Sequence, residues 1–324
     1  MGSRVELLKH WYRLSRGSSY WASSSRGQPG YHAGDLNFYY RDYTAKTRWD
    51  GALDADGMPL VQEAGATPFR HPLILAQKAL GHWDICGRTG VRDGVHHASF
   101  LRIAECLRDG QEGNGGWSIA SMKKSCYVSP YSALAQGQIA SVLVRAAAVT
   151  ADASFISSAR RGLLLMLRAV EGGGTARVDG EDLWLEEYPR VDGPSVVLNG
   201  WISALFGLYD YSIADSDDAV TGALHAGIAT LSRRALDYDA GYWSYYDRRG
   251  TIASPYYHRV HAVQLDALAR TFPAHADEFA RLCRRFESYE RSRLKRARAV
   301  ARKVVQKLRT PPDTVLALTK APRR

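Results

Sequence analysis

The chain of 324 residues is poor in cysteine, and none of its cysteines forms a CxxC pair. The four are Cys86, Cys106, Cys126 and Cys283. Such wide spacing is typical neither of a zinc site nor of a disulfide framework. We therefore interpret these residues as small buried hydrophobes in a protein of a reducing compartment.

Long apolar runs are also missing, because no stretch of about 20 apolar residues occurs, and we expect no membrane-spanning helix. The first residues, MGSRVELLKHWYRLSRGSS, contain Glu6 and only a brief apolar patch, which is not the pattern of a signal peptide. Together these absences predict a cytoplasmic protein.

Acidic residues are scarce at the C-terminal end. Residues 291–324 contain twelve Lys/Arg and one acid, Asp313, so this segment carries +11 whereas residues 1–290 carry −1. Within 291–309 there are nine Lys/Arg and no acid, glycine or proline, and apolar residues recur at helical spacing. This predicts a basic amphipathic helix. The apolar positions are Leu294, Ala297, Val300, Ala301, Val304, Val305 and Leu308.

Two hypotheses for this basic helix stay open. It binds an anionic membrane surface, which we favour and which would place the protein peripherally at the inner membrane face, or it recruits a polyanionic substrate. A nucleic acid has the same charge complementarity, but no nucleic-acid-binding motif is present, so we expect no such partner. Whether the chain forms a homodimer is also open.

Helical periodicity begins at Pro72 and predicts eight helices. They span 72–82, 95–109, 131–149, 153–170, 195–213, 219–235, 259–272 and 275–308. Asp152 is the expected N-cap of the fourth helix, and Gly172 to Gly174 are expected to end it. Eight helices in sequential pairs with short connections predict a mainly α protein, an incomplete α/α toroid of about four helix pairs.

We divide the chain into an N-terminal arm with a short β-hairpin (1–65), the toroid (66–290) and the basic amphipathic tail (291–324). Residues 17–34 are rich in Ser and Gly and predict an extended arm, and Asp54 to Gly57 predict the hairpin turn. A second hairpin, 175–178 with 183–187, is expected between the fourth and fifth helices.

The stretch from Leu183 to Tyr211 reads as strand, turn and helix. Glu186, Glu187 and Tyr188 precede Pro189, which favours extended geometry before it. This acid–acid–tyrosine cluster therefore lies at a turn, where chemistry is commonly placed. The alternative is that the two carboxylates are solvated and that the tyrosine packs on a neighbour.

Several motifs, in order along the chain, carry a family resemblance: HPLILAQKALGHWD, ALAQGQ, EEYP, VVLNGW, ALFGLYDY, YYDRRG and YYHRVHAVQL. Residues of roughly 35–290 resemble the C-terminal domain of D-glucuronyl C5-epimerases. Those enzymes invert C5 of uronic acid residues in heparan-type chains. The resemblance implies an isomerase acting on a uronic-acid polysaccharide, with no cofactor and no metal.

The resemblance also implies the site residues. Glu187 and Tyr257 become the opposed acid/base pair at C5, Tyr188 and Tyr246 assist, and Arg249 clamps the substrate carboxylate. A tyrosine base needs a pKa lowered by a nearby cation. The remaining substrate-binding candidates are Asn199, His261, Gln136 and Trp117.

Other interpretations remain beside this one. Trp83, Trp117, Trp201 and Trp243 each lie near a glycine, so they are either core aromatics beneath turns or a cleft rim that stacks on sugars. His258 and His261 are one helical turn apart, but no third ligand pattern supports a metal site. A polysaccharide lyase shares the C5 proton abstraction, and a non-catalytic saccharide-binding protein is the third alternative.

Overall fold

A computed structural model describes residues 24–63, 67–90, 94–309 and 317–318 of the chain. The expectations for residues 17–23 and for most of 310–324 lie outside this described part. The described residues form a mainly helical protein with two small antiparallel sheets.

Four sequential helix pairs make up the body, as the periodicity predicts. The first member of each pair packs against the first member of the next, so these helices form an inner row, and the second members lie outside them. The inner helices are α1 (Pro72–Thr89), α3 (Ala133–Thr150), α5 (Leu198–Ala214) and α7 (Pro255–Thr271). The outer helices are α2 (Val95–Asp109), α4 (Ala153–Met166), α6 (Asp218–Arg234) and α8 (Ala276–Arg291). This arrangement is compatible with an incomplete helical toroid.

The inner helices α3 and α5 approach closely because glycines face each other. A Cβ on Gly137 would lie 2.7 Å from the Cα of Ala204, and Gly207 packs directly on Gly137. Among the described helices, Ala133–Thr150 has the length and apolar composition that could cross a membrane, yet 78% of that window is buried inside the protein. It forms the centre of the core.

Local signals explain most helix ends. Asp152 caps α4 by accepting from the backbone N–H of Ser154 at 2.8 Å, as expected. However, α4 ends at Met166 and not at the glycines, because a short 3₁₀ turn, Val170–Gly172, intervenes before the chain reverses. The predicted end at residue 170 is therefore wrong by one turn.

The arm packs into the helical body. Tyr31, Tyr39, Tyr40 and Tyr43 are buried in the same core as the inner helices. The Tyr40 ring lies 4.0 Å from that of Phe206 on α5. From residue 24 onward, the predicted extended arm thus supplies part of the core.

The predicted turn at 54–57 is present, but only an isolated bridge spans it. Asp54 Oδ1 accepts from the backbone N–H groups of Asp56 and Met58, and Leu53 forms an antiparallel bridge with Pro59. Strand β1 (Leu60–Gln62) follows this turn and pairs with β2 (Phe69–Arg70), which comes later in the chain. β1 also pairs with β5 (Ala317–Leu318) near the C-terminus. The second hairpin joins β3 (Ala176–Asp179) to β4 (Asp182–Leu185).

The predicted last helix, 275–308, is two helices. The first helix, α8, ends before Ser292, whose backbone is extended (φ −84°, ψ 112°), and the second helix, α9 (Arg293–Arg309), follows. No glycine or proline marks this break. It lets α9 turn back onto the segment 242–252, where Gln306 donates to the carbonyl of Gly250 at 3.0 Å and accepts from the N–H of Ile252 at 2.9 Å.

Candidate functional site

The extended chain after β4 is held on both sides by the segment that enters α3. The N–H of Ala133 donates to the carbonyl of Glu186 at 3.0 Å, and the N–H of Val128 donates to that of Pro189 at 2.8 Å. Glu187 and Tyr188 lie between these two anchor points. The hairpin therefore delivers them to the inner helices, as the sequence predicts.

The adjacent carboxylates have different environments. Glu186 is fully buried, forms an ion pair with Arg177 and accepts from the backbone N–H of Ser195 at 3.2 Å. Glu187 is also buried, but its Oε2 has no hydrogen-bond partner within the described residues, and the nearby Tyr188 side chain only partly offsets the rise in its pKa. Glu186 stabilises the turn, and Glu187 is free for chemistry.

Glu187 packs against the first turn of α5, at Gly200. A Cβ at this position would lie 2.7 Å from the Cβ of Glu187 and 3.1 Å from its Cδ. Only glycine leaves room for the carboxylate here, which explains the NG pair at the start of this helix.

A second hairpin-like turn places Tyr246. The N–H of Tyr246 donates to the carbonyl of Thr251 at 2.6 Å, and the N–H of Leu198 donates to that of Tyr246 at 3.0 Å. The second bond ties Tyr246 to the start of α5, beside Gly200. The ring of Tyr257, in the first turn of α7, lies 4.8 Å from the ring of Tyr246 in an edge-on arrangement.

The four predicted catalytic residues are therefore brought together. Besides burial, the negative charge of Glu187 raises the pKa of each of the three tyrosines, and the rings of Tyr246 and Tyr257 are in contact. We call Glu187, Tyr188, Tyr246 and Tyr257 the tyrosine–glutamate cluster.

Protonation in the cluster follows from burial. Burial raises the pKa of Glu187 to about 7, and no cation offsets this shift. Burial, reinforced by Glu187, also raises the pKa of Tyr188, Tyr246 and Tyr257 above the ordinary value. The expected lowering of a tyrosine pKa is not found. Near neutral pH the cluster holds one carboxyl that can take or give a proton among three neutral phenols.

Arg41 is a cation near Tyr257 that the sequence did not predict. Its guanidinium is buried, donates to the carbonyl of Ser24 at 2.6 Å and to the Tyr43 hydroxyl at 3.2 Å, and also donates to the Tyr256 hydroxyl. Arg41 forms no carboxylate pair within the described residues, and it partly offsets the upward shift of the Tyr257 pKa. The sequence signal was only an arginine within FYYRDY.

The two histidines of α7 share one hydroxyl. Ser244 Oγ lies 2.8 Å from Nδ1 of His258 and 2.9 Å from Nδ1 of His261. Nε2 of His258 lies 2.9 Å from the carbonyl of Phe286, which can only accept, so Nε2 carries the proton and Nδ1 of His258 accepts from Ser244. Hence Nδ1–H of His261 donates to Ser244, and its Nε2 keeps a free lone pair.

This network assigns the histidines different roles. His258 stacks on Trp243 at 3.7 Å and is a packing residue. His261 lies one turn after Tyr257 on α7, and burial holds its pKa well below the ordinary value, so it is neutral. The described residues contain no cluster of three or more metal-ligating side chains.

Unpartnered polar atoms extend along the same helices. Gln264 donates to the carbonyl of Asn199 at 2.9 Å, which joins α7 to the start of α5. Among the buried atoms without a hydrogen-bond partner within the described residues, four acceptors lie on or against these helices and could receive substrate donors: Glu187 Oε2, Asn199 Oδ1, His261 Nε2 and Gln264 Oε1. Asn199 and His261 thus lie on α5 and α7, which contact or carry members of the cluster, and their substrate-binding role stays a prediction.

Arg249 is placed outside the cluster. Its guanidinium forms a two-bond pair with Asp192, with Nη1–Oδ2 and Nη2–Oδ1 both 2.9 Å, and also donates to the carbonyl of Pro194. Asp192 belongs to the turn that follows Tyr188. Arg249 therefore presents its fork to a carboxylate, but that carboxylate is the protein's own.

Gln136 and Trp117 are not brought to the cluster. The Gln136 amide accepts from the N–H of Trp117 at 3.2 Å and donates to its carbonyl at 3.0 Å, so its polar groups are satisfied. The Trp117 indole donates to the carbonyl of Leu107 and is buried. Trp83, Trp201 and Trp243 are buried as well, so the four tryptophans are core residues and form no rim.

The basic helix α9 brings a lysine to the cluster. Lys303 is 8% exposed, and its Nζ lies 5.6 Å from the centre of the Tyr246 ring. Burial lowers the pKa of this amine to about 8. No ion pair with a carboxylate is found for it in the described part of the chain. Helical periodicity gave no indication that a lysine of the tail would be buried here.

The family model of the D-glucuronyl C5-epimerase C-terminus matches residues 111–288, more than half of the chain. This range contains the whole tyrosine–glutamate cluster. The chain belongs to the D-glucuronyl C5-epimerase family. Arg41 and Lys303 both lie outside the matched range.

Two relatives illustrate the extent of the likeness. A D-glucuronyl C5-epimerase of Caenorhabditis elegans is 34% identical over 200 residues, which are 54% of this chain and 32% of that protein. An uncharacterized protein of Methanocaldococcus jannaschii is 27% identical over 137 residues, 41% of this chain and 44% of its own length. The matched segment thus spans less than half of either relative.

Proposed function

We propose that this member of the family is a uronic-acid C5-epimerase acting on a glycosaminoglycan-like polysaccharide, converting D-glucuronic to L-iduronic residues. The observation that carries the proposal is the buried, cation-free Glu187, with a pKa of about 7, surrounded by three neutral phenols. Proton transfer is most effective when the pKa of the transferring group lies near the working pH.

The raised pKa values of the carboxyl and the phenols support the following roles. Glu187 removes the C5 proton, and the electron pair of the C–H bond moves into the substrate carboxylate as an enolate. Tyr257, a phenol, gives its proton to C5 from the opposite face and becomes a phenolate. The neighbouring Tyr246 side chain and the Arg41 cation both stabilise that phenolate, because each of them lowers the pKa of Tyr257 against the effect of burial. After the product leaves, Glu187 gives its proton to solvent and Tyr257 takes one from solvent.

The enolate needs positive charge at the uronate carboxylate. Arg249 fits this role because its fork already holds a carboxylate in the two-bond geometry that a uronate would offer. Asp192 is half exposed, and exposed ion pairs contribute only about 0–1 kcal/mol, so a substrate carboxylate can displace it. Lys303 adds a second cation beside Tyr246.

Several buried hydrogen-bond acceptors near the cluster can bind hydroxyl groups of the polymer. The free oxygens of Asn199 and Gln264 and the lone pair on Nε2 of His261 accept hydrogen bonds, and sugar hydroxyls are donors. A chain of alternating uronic acid and amino sugar offers both the carboxylate and these hydroxyls.

The test is hydrogen exchange at C5. The protein is incubated in deuterated water with a panel of uronic-acid polysaccharides, and deuterium at C5 is followed by NMR and mass spectrometry. We expect incorporation without chain shortening, and Tyr257→Phe should reduce the rate by about 10² or more because only the proton donor is lost. Tyr245→Phe is the matched control, since its hydroxyl lies by Arg302 and not by Glu187.

Each alternative function has its own outcome. A lyase would shorten the polymer and create an unsaturated, ultraviolet-absorbing end. A saccharide-binding protein would bind the polymer without exchange. Near wild-type exchange in Tyr257→Phe would overturn the assignment of the acid.

A further inference from the structure

Helix α9 docks on the body through one of its faces. Ala299 and Lys303 are its buried residues, Lys295 contacts the Tyr289 ring at 4.2 Å, and Gln306 bonds the segment around Gly250. Residues 295, 299, 303 and 306 recur every three or four positions, so they share one side of the helix. That side carries no large apolar residue.

The apolar row lies on the opposite side and is open to solvent. Leu294 is 85% exposed, Leu308 is 76% exposed, and Val300, Val304 and Val305 are each more than 40% exposed. About half a turn separates this row from Ala299 and Lys303. The helix is therefore inverted relative to an ordinary surface helix, whose apolar row faces the core.

Cations border the open row on both sides. Arg293, Arg296 and Lys307 follow one edge, and Arg298, Arg302 and Arg309 follow the other, with no acidic residue between 291 and 309. Arg298 and Arg302 also contact the Tyr242 side chain of the body. Long basic side chains beside an apolar row can place their charges at headgroup level while the row enters the acyl boundary. This charge pattern complements an anionic lipid surface.

We propose that the outer face of α9 is a docking surface for an anionic lipid bilayer. The cations alone would also suit a soluble polyanion, but an exposed row of leucine and valine gains nothing from a hydrated polysaccharide. Insertion into lipid removes that row from water. The inner face of the same helix touches Tyr246 through Lys303 and the Gly250 turn through Gln306, so docking would hold the tyrosine–glutamate cluster close to the bilayer.

The experiment is co-sedimentation of the full-length protein with vesicles of phosphatidylcholine alone or of an equimolar mixture with phosphatidylglycerol. We expect binding to the anionic vesicles only. The triple variant Leu294→Ser/Val304→Ser/Leu308→Ser should weaken it by at least about tenfold. The double variant Val95→Ser/Val178→Ser is the matched control, because both valines are 74% exposed and lie away from α9.

A second variant separates charge from insertion. Arg293→Gln/Arg296→Gln should weaken anionic binding in a salt-dependent manner, because exposed charges are screened by salt. Unchanged vesicle binding in the triple variant would overturn the proposal and make α9 a polyanion-binding surface. Absence of vesicle binding, with a wild-type dimer that the triple variant converts to monomer, would show instead that the row covers a second copy of the chain.

Discussion

Two buried ionisable regions contact the inner helix α5, and only one of them contains an ion pair. Between α3 and α5, Arg145 and Asp210 are almost fully buried and paired at 2.6 Å, and Arg145 also donates to the carbonyls of Ser141 and Phe38. Beside the first turn of α5, Glu187 is buried, and no cation among the described residues pairs with it.

The presence or absence of a countercharge distinguishes a structural ion pair from a carboxyl that can transfer protons. A buried charge that is paired and hydrogen-bonded holds two helices in register. A buried carboxyl without a countercharge is costly to ionise, and its pKa moves toward neutrality, where it can transfer protons. The neighbours Glu186 and Glu187 differ in the same way in their pairing, because only Glu186 has an arginine partner, although burial raises the pKa of both carboxyls.

The sharpest way to test this contrast is Glu187→Gln. We expect C5 exchange to fall by about 10² to 10⁴, because the base is lost while its shape remains. Folding should survive.

Stability should respond to pH in the opposite sense to a paired carboxylate. The folded pKa of Glu187, about 7, exceeds the unfolded value of about 4.3. As pH rises from about 4 to 7, the free energy of unfolding of the wild type should therefore fall relative to that of Glu187→Gln, by a few kcal/mol in order of magnitude. Urea unfolding of both proteins across this range measures it, and equal pH dependence would contradict the unpaired state.

Asp210→Asn breaks the paired region. It leaves the Arg145 charge buried without its partner, so the free energy of unfolding should fall by about 3–5 kcal/mol. Exchange activity per folded molecule should stay near wild type, because neither residue touches the cluster. Urea unfolding at neutral pH gives the first quantity. A variant as stable as wild type, or one that folds fully but loses exchange, would contradict the division of roles.

Gly200→Ala tests whether the close contact between Gly200 and the Glu187 side chain positions the carboxylate. The added Cβ would displace the carboxylate, and a misplacement near 1 Å can cost about 10² in rate. Stability should change little, because alanine favours the helix by about 1 kcal/mol and offsets part of the clash. Steady-state exchange kinetics are the measurement, and Gly222→Ala on α6, where a Cβ meets nothing within 4 Å, is the control. Wild-type kinetics in Gly200→Ala would show that Glu187 is not held here.

The smallest expected effect is that of Asp192→Asn. Freeing Arg249 from an exposed pair worth about 0–1 kcal/mol should lower KM for the polymer by no more than about fivefold, with kcat nearly unchanged. Adding Arg249→Lys should remove this gain, because lysine lacks the fork. An Asp192→Asn variant with a higher KM would mean that the pair orients the site and does not compete with substrate.

The helical pairs were predictable because periodicity and caps are local signals. Asp152 caps its helix and the second hairpin delivers Glu187, both as the sequence indicates. The break at Ser292 was not predictable, because RSR carries no stop signal and the docking of Gln306 and Lys303 decides the bend.

In the site, the residue types at EEYP, SYYD and YYHRVH were readable from the sequence, and the resemblance named the four members of the cluster. Arg177 pairs with Glu186 and so leaves Glu187 unpaired. Ser244 accepts from Nδ1–H of His261 and so leaves the lone pair on Nε2 of that neutral histidine free. Arg41 and Lys303 arrive from segments far along the chain, and Arg249 turns to Asp192. The sequence alone determined helices and chemical groups, because these depend on near neighbours. Only the tertiary structure decided charge pairing and pKa, because burial and counterions depend on residues distant in the chain.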